Sequence, residues 1–162
     1  MIVRTLTLVA ALTAGAATSQ FPEFSQQYAQ RLGGAVDALA EVVADFDASA
    51  QAEGLTRVAA LNQMQGTPFI DRRRADMIRT FARYDKLRAD LAALDTAGPF
   101  MRAYHATRMT DPEVARAAWA AFQPALPLTF AGGIFAGVGF ITMLLAIGIL
   151  RLLLPTRRRR TA

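Results

Sequence analysis

Apolar residues follow two different patterns along this chain. At both ends they run without interruption, and between the ends they recur every three or four positions. From Thr5 to Phe21 there is no charged residue, a stretch of about 17 residues at the lower limit of what crosses a bilayer core of roughly 30 Å. From Leu128 to Leu150 the chain is again uncharged, and it ends on Arg151. Between these ends, Phe24, Tyr28, Leu32, Val36, Leu39, Val43 and Phe46 form one helical stripe, which predicts a long helix over about 22–53. Pro22 suits its first turn and Gly54 its end. Ile70, Met77, Phe81, Tyr84, Leu87, Leu91 and Leu94 form a second stripe, predicting a helix over about 68–95 that Thr67 caps and Gly98-Pro99 closes. Two short helices are expected besides. One covers about 56–65, with Val58 and Leu61 apolar. The other covers about 111–122, opens on a Thr110/Glu113 capping box and gathers Ala115, Trp119 and Phe122 on one face.

These elements predict an all-α membrane protein. Two transmembrane helices, 1–21 and 128–154, flank an extracytoplasmic domain, 22–127, and 155–162 form a cytoplasmic basic tail. The two long amphipathic helices would measure roughly 45 and 42 Å at 1.5 Å per residue. Near-equal lengths suit an antiparallel helical hairpin with the first short helix at its far tip.

Charge sharpens the topology. All 13 acidic residues and 12 of the 18 basic ones lie between Phe21 and Pro127, so the middle of the chain is nearly neutral. The remaining basic residues, Arg4, Arg151, Arg157, Arg158, Arg159 and Arg160, flank the apolar ends. That distribution is the positive-inside pattern, and it puts both termini in the cytoplasm. It argues against nucleic acid as a partner, because a nucleic-acid binder carries its basic face on the folded part. The first apolar segment also has the parts of a leader: Arg4, an apolar Leu6–Ala14 and small residues at Ala17-Thr18-Ser19. A cleaved leader and a retained signal anchor are both open on these residues, and either one exports the middle of the chain.

Small residues mark candidate contacts between the spans, within one chain or across a dimer. Ala10 and Ala14 are four apart, as are Ala11 and Gly15, while Gly133 and Gly137 form a GxxxG beside Gly132 and Ala136. Gly33-Gly34 inside the first long helix costs about 1 kcal/mol per residue against Ala and suggests a bend or a closely packed neighbour. Charge pairs at helical spacing, Arg72 with Asp76 and Lys86 with Asp90, read as solvated faces, as does Arg72-Arg73-Arg74 beside Asp71 and Asp76. Trp119 and Phe122 have two readings: an anchor at the membrane interface, or a face packed on the base of the hairpin.

Little in the chain supports chemistry. There is no cysteine, so disulfides and thiolate sites are excluded. His105 is the single histidine. Asp45-x-Asp47-x-Ser49 has the spacing of a calcium loop, but Ala50 stands where that loop needs glycine and Thr56 where it needs glutamate. No catalytic residue, metal or cofactor is expected, and no small-molecule substrate is evident.

The run Pro22-x-Phe24-x-x-Gln27-Tyr28-x-Gln30-Arg31-Leu32-Gly33-Gly34, with Gly98-Pro99-Phe100 and Asp111-Pro112-Glu113, resembles the Domain of Unknown Function 2937 family of proteobacterial inner-membrane proteins. The resemblance implies a two-span protein with an intervening helical domain, and it carries no activity. The resulting expectation is a non-enzymatic inner-membrane protein whose periplasmic domain acts as a scaffold or interaction module. Its partners would be the lipid bilayer and a membrane or periplasmic protein, or a second copy of itself. The alternative is a small accessory subunit of a membrane transporter or channel.

Overall fold

A computed structural model describes residues 2–124 and 128–153. Within them the chain is helical, with no strand. Seven α-helices come in order: α1 (Ile2–Ser19), α2 (Phe21–Ala52), α3 (Arg57–Gln63), α4 (Pro68–Leu94), α5 (Pro99–Tyr104), α6 (Pro112–Ala120) and α7 (Phe130–Leu153). A single 3-10 turn, Ala106–Arg108, links α5 to the approach of α6. Two helical runs are long and apolar enough to cross a membrane; the one beginning at Ile2 holds a window of mean hydropathy 1.4 and α7 one of 2.4.

The chain divides into two compact units. One gathers the two ends, up to Ser25 and from Gln123; the other is Gln26–Phe122. In the first unit, α1 and α7 lie side by side in opposite directions. Val3 meets Arg151 at one end, Gly15 meets Ala136 in between, and Phe21 packs on Phe135 at the other with ring centroids 5.3 Å apart.

The second unit is built on the two stripes. Tyr28, Leu32, Val36 and Val43 of α2 are buried, as are Phe81, Leu87 and Leu94 of α4. Phe46 meets Phe81 edge to face at 5.2 Å. Turn chemistry sets the helix limits. Gly54 adopts a left-handed φ of 66° after α2, and Leu55 N–H reaches back to Ala50 O (2.8 Å) while Gly54 N–H reaches Gln51 O (2.9 Å). That pair of bonds is a Schellman ending, which satisfies carbonyls the helix would leave unpaired. Thr67 caps α4 through Ile70 N–H (3.3 Å), with Pro68 at the first helical position.

Several local expectations shift. α6 is capped by Asp111, whose Oδ1 accepts from Glu113 N–H (3.1 Å) and Val114 N–H (3.0 Å), and not by Thr110. The carboxylate directly precedes Pro112 and reaches both donors, which leaves the hydroxyl one residue too early to cap. Val58 is 66% exposed, so it is not part of a buried stripe on α3. Asp76 pairs with Arg73 (3.7 Å) and Arg79 rather than Arg72. Helix α5 and the 3-10 turn carry no long periodic stripe and were not expected as elements.

Candidate functional site

The seam between α1 and α7 is assembled from small residues. Ala11, Gly15 and Ser19 are buried on α1, and Gly132 and Gly139 on α7. A Cβ at Gly15 would stand 2.9 Å from the carbonyl oxygen of Ala136. At Gly139 it would stand 2.8 Å from Ala14 O and overlap the side chain of Thr18. Only glycine lets the backbones meet at these two levels. Gly133 and Gly137 lie elsewhere: both are exposed, and a Cβ at either would meet nothing within 4 Å. Within the chain, the expected GxxxG pair therefore does not form the seam; α7 is turned so that Gly132, Ala136 and Gly139 do. Ala10 and Ala14 are half-buried at its edge, and only the backbone of Ala14 approaches Gly139 closely.

Two polar ties close the seam. The Thr18 hydroxyl lies 2.8 Å from Phe135 O on α7 and 2.9 Å from Ala14 O on its own helix. At the opposite end Arg151 donates to Val3 O (3.1 Å) and to the Thr7 hydroxyl. The guanidinium thus ties the last turn of α7 to the first turns of α1. Arg4 is exposed, and Arg157 to Arg160 lie outside the described residues.

The second unit holds an ionic cluster, centred on a buried carboxylate, where α2, α4, the 3-10 turn and α6 meet. Asp90 is only 4% exposed, contrary to the solvated face expected of the Lys86–Asp90 pair. Lys86 Nζ lies 3.0 Å from its Oδ2, and Arg108 Nη1 donates to its Oδ1 at 3.3 Å. Burying a carboxylate without such partners costs several kcal/mol, and the second cation arrives from the 3-10 turn. Lys86 also contacts the Thr110 hydroxyl (3.4 Å). Beside this group, Arg83 bridges Asp111 (3.3 Å) and Glu113 (2.6 Å). Tyr28, fully buried, accepts from Asp111 N–H at 3.2 Å. Burial pushes the Tyr28 phenol above its ordinary value; the bond from Asp111 partly offsets this, and the charges of Asp111 and Asp90 add to it.

A third tie lies at α3. Arg57 forms a two-pronged pair with Asp47 (2.8 and 2.6 Å), and its guanidinium sits 4.6 Å from the Phe81 ring centroid. The hydrogen bonds from Arg57 hold the Asp47 carboxyl below the usual carboxylate range. The Asp47 carboxylate of the rejected calcium spacing is thus occupied by an arginine. Among the described residues no three His, Asp or Glu side chains gather as metal ligands. His105 stacks edge to face with Tyr104 at 5.1 Å.

Helix α6 advances along α2 in the same sense. Asp111 meets Tyr28, and further along Glu113, Val114 and Ala117 share a shallow cleft with Arg31, Gly34 and Ala35. Val114 and Ala118 face inward, while Trp119 is 71% exposed and stacks on Phe122 (6.1 Å, 17° between planes). The Trp119 ring therefore does not pack into the base of the unit. A Cβ at Gly33 or Gly34 would meet nothing within 4 Å, so no neighbour among the described residues requires these glycines.

The sequence profile of a family described as a protein of unknown function (DUF2937) matches residues 2–160. No curated protein and no solved structure matches the chain.

Proposed function

The chain belongs to the DUF2937 family, and from that footing we propose that it is a membrane-tethered helical scaffold or interaction module without catalytic activity. In this reading α1 and α7 both cross the bacterial inner membrane and α1 is a retained signal anchor. Both termini are cytoplasmic, and Gln26–Phe122 is a periplasmic domain built on an antiparallel α2–α4 hairpin. The observation that carries the reading is the character of the two apolar helices. Only 6% of the residues in the apolar window of α7 are buried by protein, and lipid would cover the apolar side chains left exposed. The hairpin is supported by the opposed order of contacts, Tyr28 near Asp90 and Phe46 against Phe81. The absence of an activity is supported by the ionic cluster, whose charges are spent on one another and join α4, the 3-10 turn and the start of α6.

Co-purification of the intact protein in mild detergent tests the proposal. A stoichiometric partner, or a defined homo-oligomer, is the expected result. Ion flux through liposomes holding the purified chain would overturn it in favour of a channel component.

A further inference from the structure

Residues 95–110 contain helix α5 and the 3-10 turn, yet none of them is buried. The segment runs between two firm points. Leu94 before it is 1% exposed, and Asp111 after it is held by the Tyr28 phenol (3.2 Å) and by Arg83 (3.3 Å). Polar ties reach from the segment to α4. Arg102 Nε donates to Leu94 O (3.2 Å), a carbonyl in the last turn of α4, and Arg108 Nη1 donates to Asp90 Oδ1 (3.3 Å). Its backbone bonds are local: Arg102 N–H to Gly98 O (2.9 Å), His105 N–H to Met101 O (2.9 Å), Arg108 N–H to His105 O (2.8 Å) and Met109 N–H to Ala106 O (3.0 Å).

A segment with little buried apolar surface opens at a fraction of the free energy that unfolds the whole domain. The helices it lies against are of the other kind, with Tyr28, Leu32 and Leu87 fully buried. The bond between Arg108 and Asp90 joins these two regimes. Asp90 is 4% exposed and belongs to α4, whereas the Arg108 side chain is 52% exposed and belongs to the segment. A cleft of about 450 Å³ lies at this bond, lined by Lys86, Ala89 and Asp90 of α4 and by Thr107, Arg108 and Thr110. Its width therefore follows the position of the segment. Gly98 is extended (φ −68°, ψ 172°) and makes no side-chain cap bond to α5, so the chain can turn away from α4 there.

We propose that residues 95–110 form a latched strap that opens as one unit while α2 and α4 stay packed, with Arg108 on Asp90 as its catch. Opening pivots at Gly98 and just before Asp111, and it widens the cleft. The Asp90 carboxylate then passes from a buried, doubly paired state to one that keeps Lys86 and gains water. A hydrogen bond between charged groups is strong enough that losing the catch shifts the opening equilibrium by about tenfold or more. The two arginines sit at opposite ends of the strap. Coupling between those ends is what separates one strap from two pieces that fray independently.

Residue-resolved amide hydrogen exchange of the full chain in mild detergent, at several urea concentrations below the unfolding transition, is the test. The amides of Arg102, His105, Arg108 and Met109 should share one protection factor and depend little on urea. That factor should lie at least about tenfold below those of the buried turns around Leu32 and Leu87. In Arg108→Ala the protection of all four should fall together by about tenfold or more, and Arg102→Ala should act alike from the other end. If Arg108→Ala alters Arg108 and Met109 but not Arg102 and His105, the segment is two separate pieces and the strap is refuted. If it alters none of the four, Arg108 on Asp90 is not the catch. If the four amides share the protection and urea dependence of the α4 core, there is no separate opening, and the parent protein alone gives that answer should a variant fail to fold.

Discussion

The hydroxyl of Tyr28 accepts the backbone N–H of Asp111 at 3.2 Å, across 83 residues of sequence. This one bond joins the first turns of the long helix α2 to the residue that caps α6. Replacing Tyr28 by Phe keeps the ring and removes the acceptor. An amide left unpaired in a buried place costs about 1–3 kcal/mol. The Tyr28→Phe protein should lose stability in that range in a thermal unfolding series, whereas Tyr84→Phe, with its half-buried ring, should lose less.

The same phenol predicts a pH dependence. Burial raises its folded value, so the folded state disfavours phenolate more than the unfolded state does. The stability is intact below the ordinary tyrosine value of about 10 and falls as pH rises from there through the raised value. Tyr28→Phe should flatten that alkaline decline when the unfolding midpoint is measured against pH.

Asp47 works on the acid side. Its folded value is lowered by Arg57, so its contribution is present above the unfolded carboxyl value of about 3.9 and is lost as pH falls through the lowered one. Asp47→Asn should therefore be less stable than the parent at neutral pH and converge with it at strongly acid pH. Parallel curves across the acid range would exclude the pair as the source.

Arg108 and Arg79 separate buried from exposed pairing. Arg108→Ala leaves Asp90, nearly fully buried, with Lys86 alone, and should cost about 2 kcal/mol. Arg79 pairs with Asp76 at an exposed site, and Arg79→Ala should change stability by less than about 0.5 kcal/mol. Denaturant midpoints of the two variants in the same detergent give the comparison.

The seam between α1 and α7 predicts a contrast among glycines. Gly15→Leu and Gly139→Leu place side chains against the facing backbone and should separate α1 from α7. Gly133→Leu and Gly137→Leu meet open space and should leave the pair intact. Because the chain has no cysteine, single cysteines placed at Val3 and Arg151 can be cross-linked to report on the pair in each background. Mass spectrometry of the purified protein should likewise find α1 still present, since cleavage after Ser19 would remove one side of the seam.

What the sequence disclosed and what it withheld differ for physical reasons. The stripes Tyr28–Leu32–Val36 and Phe81–Leu87–Leu94 were legible because helical periodicity directly encodes which face turns inward. The family resemblance was legible from residue types at fixed spacing. The rotation of α7 was not: that helix is apolar all round, so nothing in its pattern separates the Gly132/Gly139 face from the Gly133/Gly137 face. The burial of Asp90 was hidden because its second cation, Arg108, lies 18 residues on, beyond the turn at Gly98-Pro99. Helix α5 was not legible because six residues are too few to show a period.

Thr18 against Gly139 and Arg151 against Val3 fasten α1 and α7 at two well-separated heights. Two fastenings on one pair of rods remove both sliding and relative rotation. A force that pushes or turns either helix is therefore delivered to the other, and the pair moves as a single stiff pin.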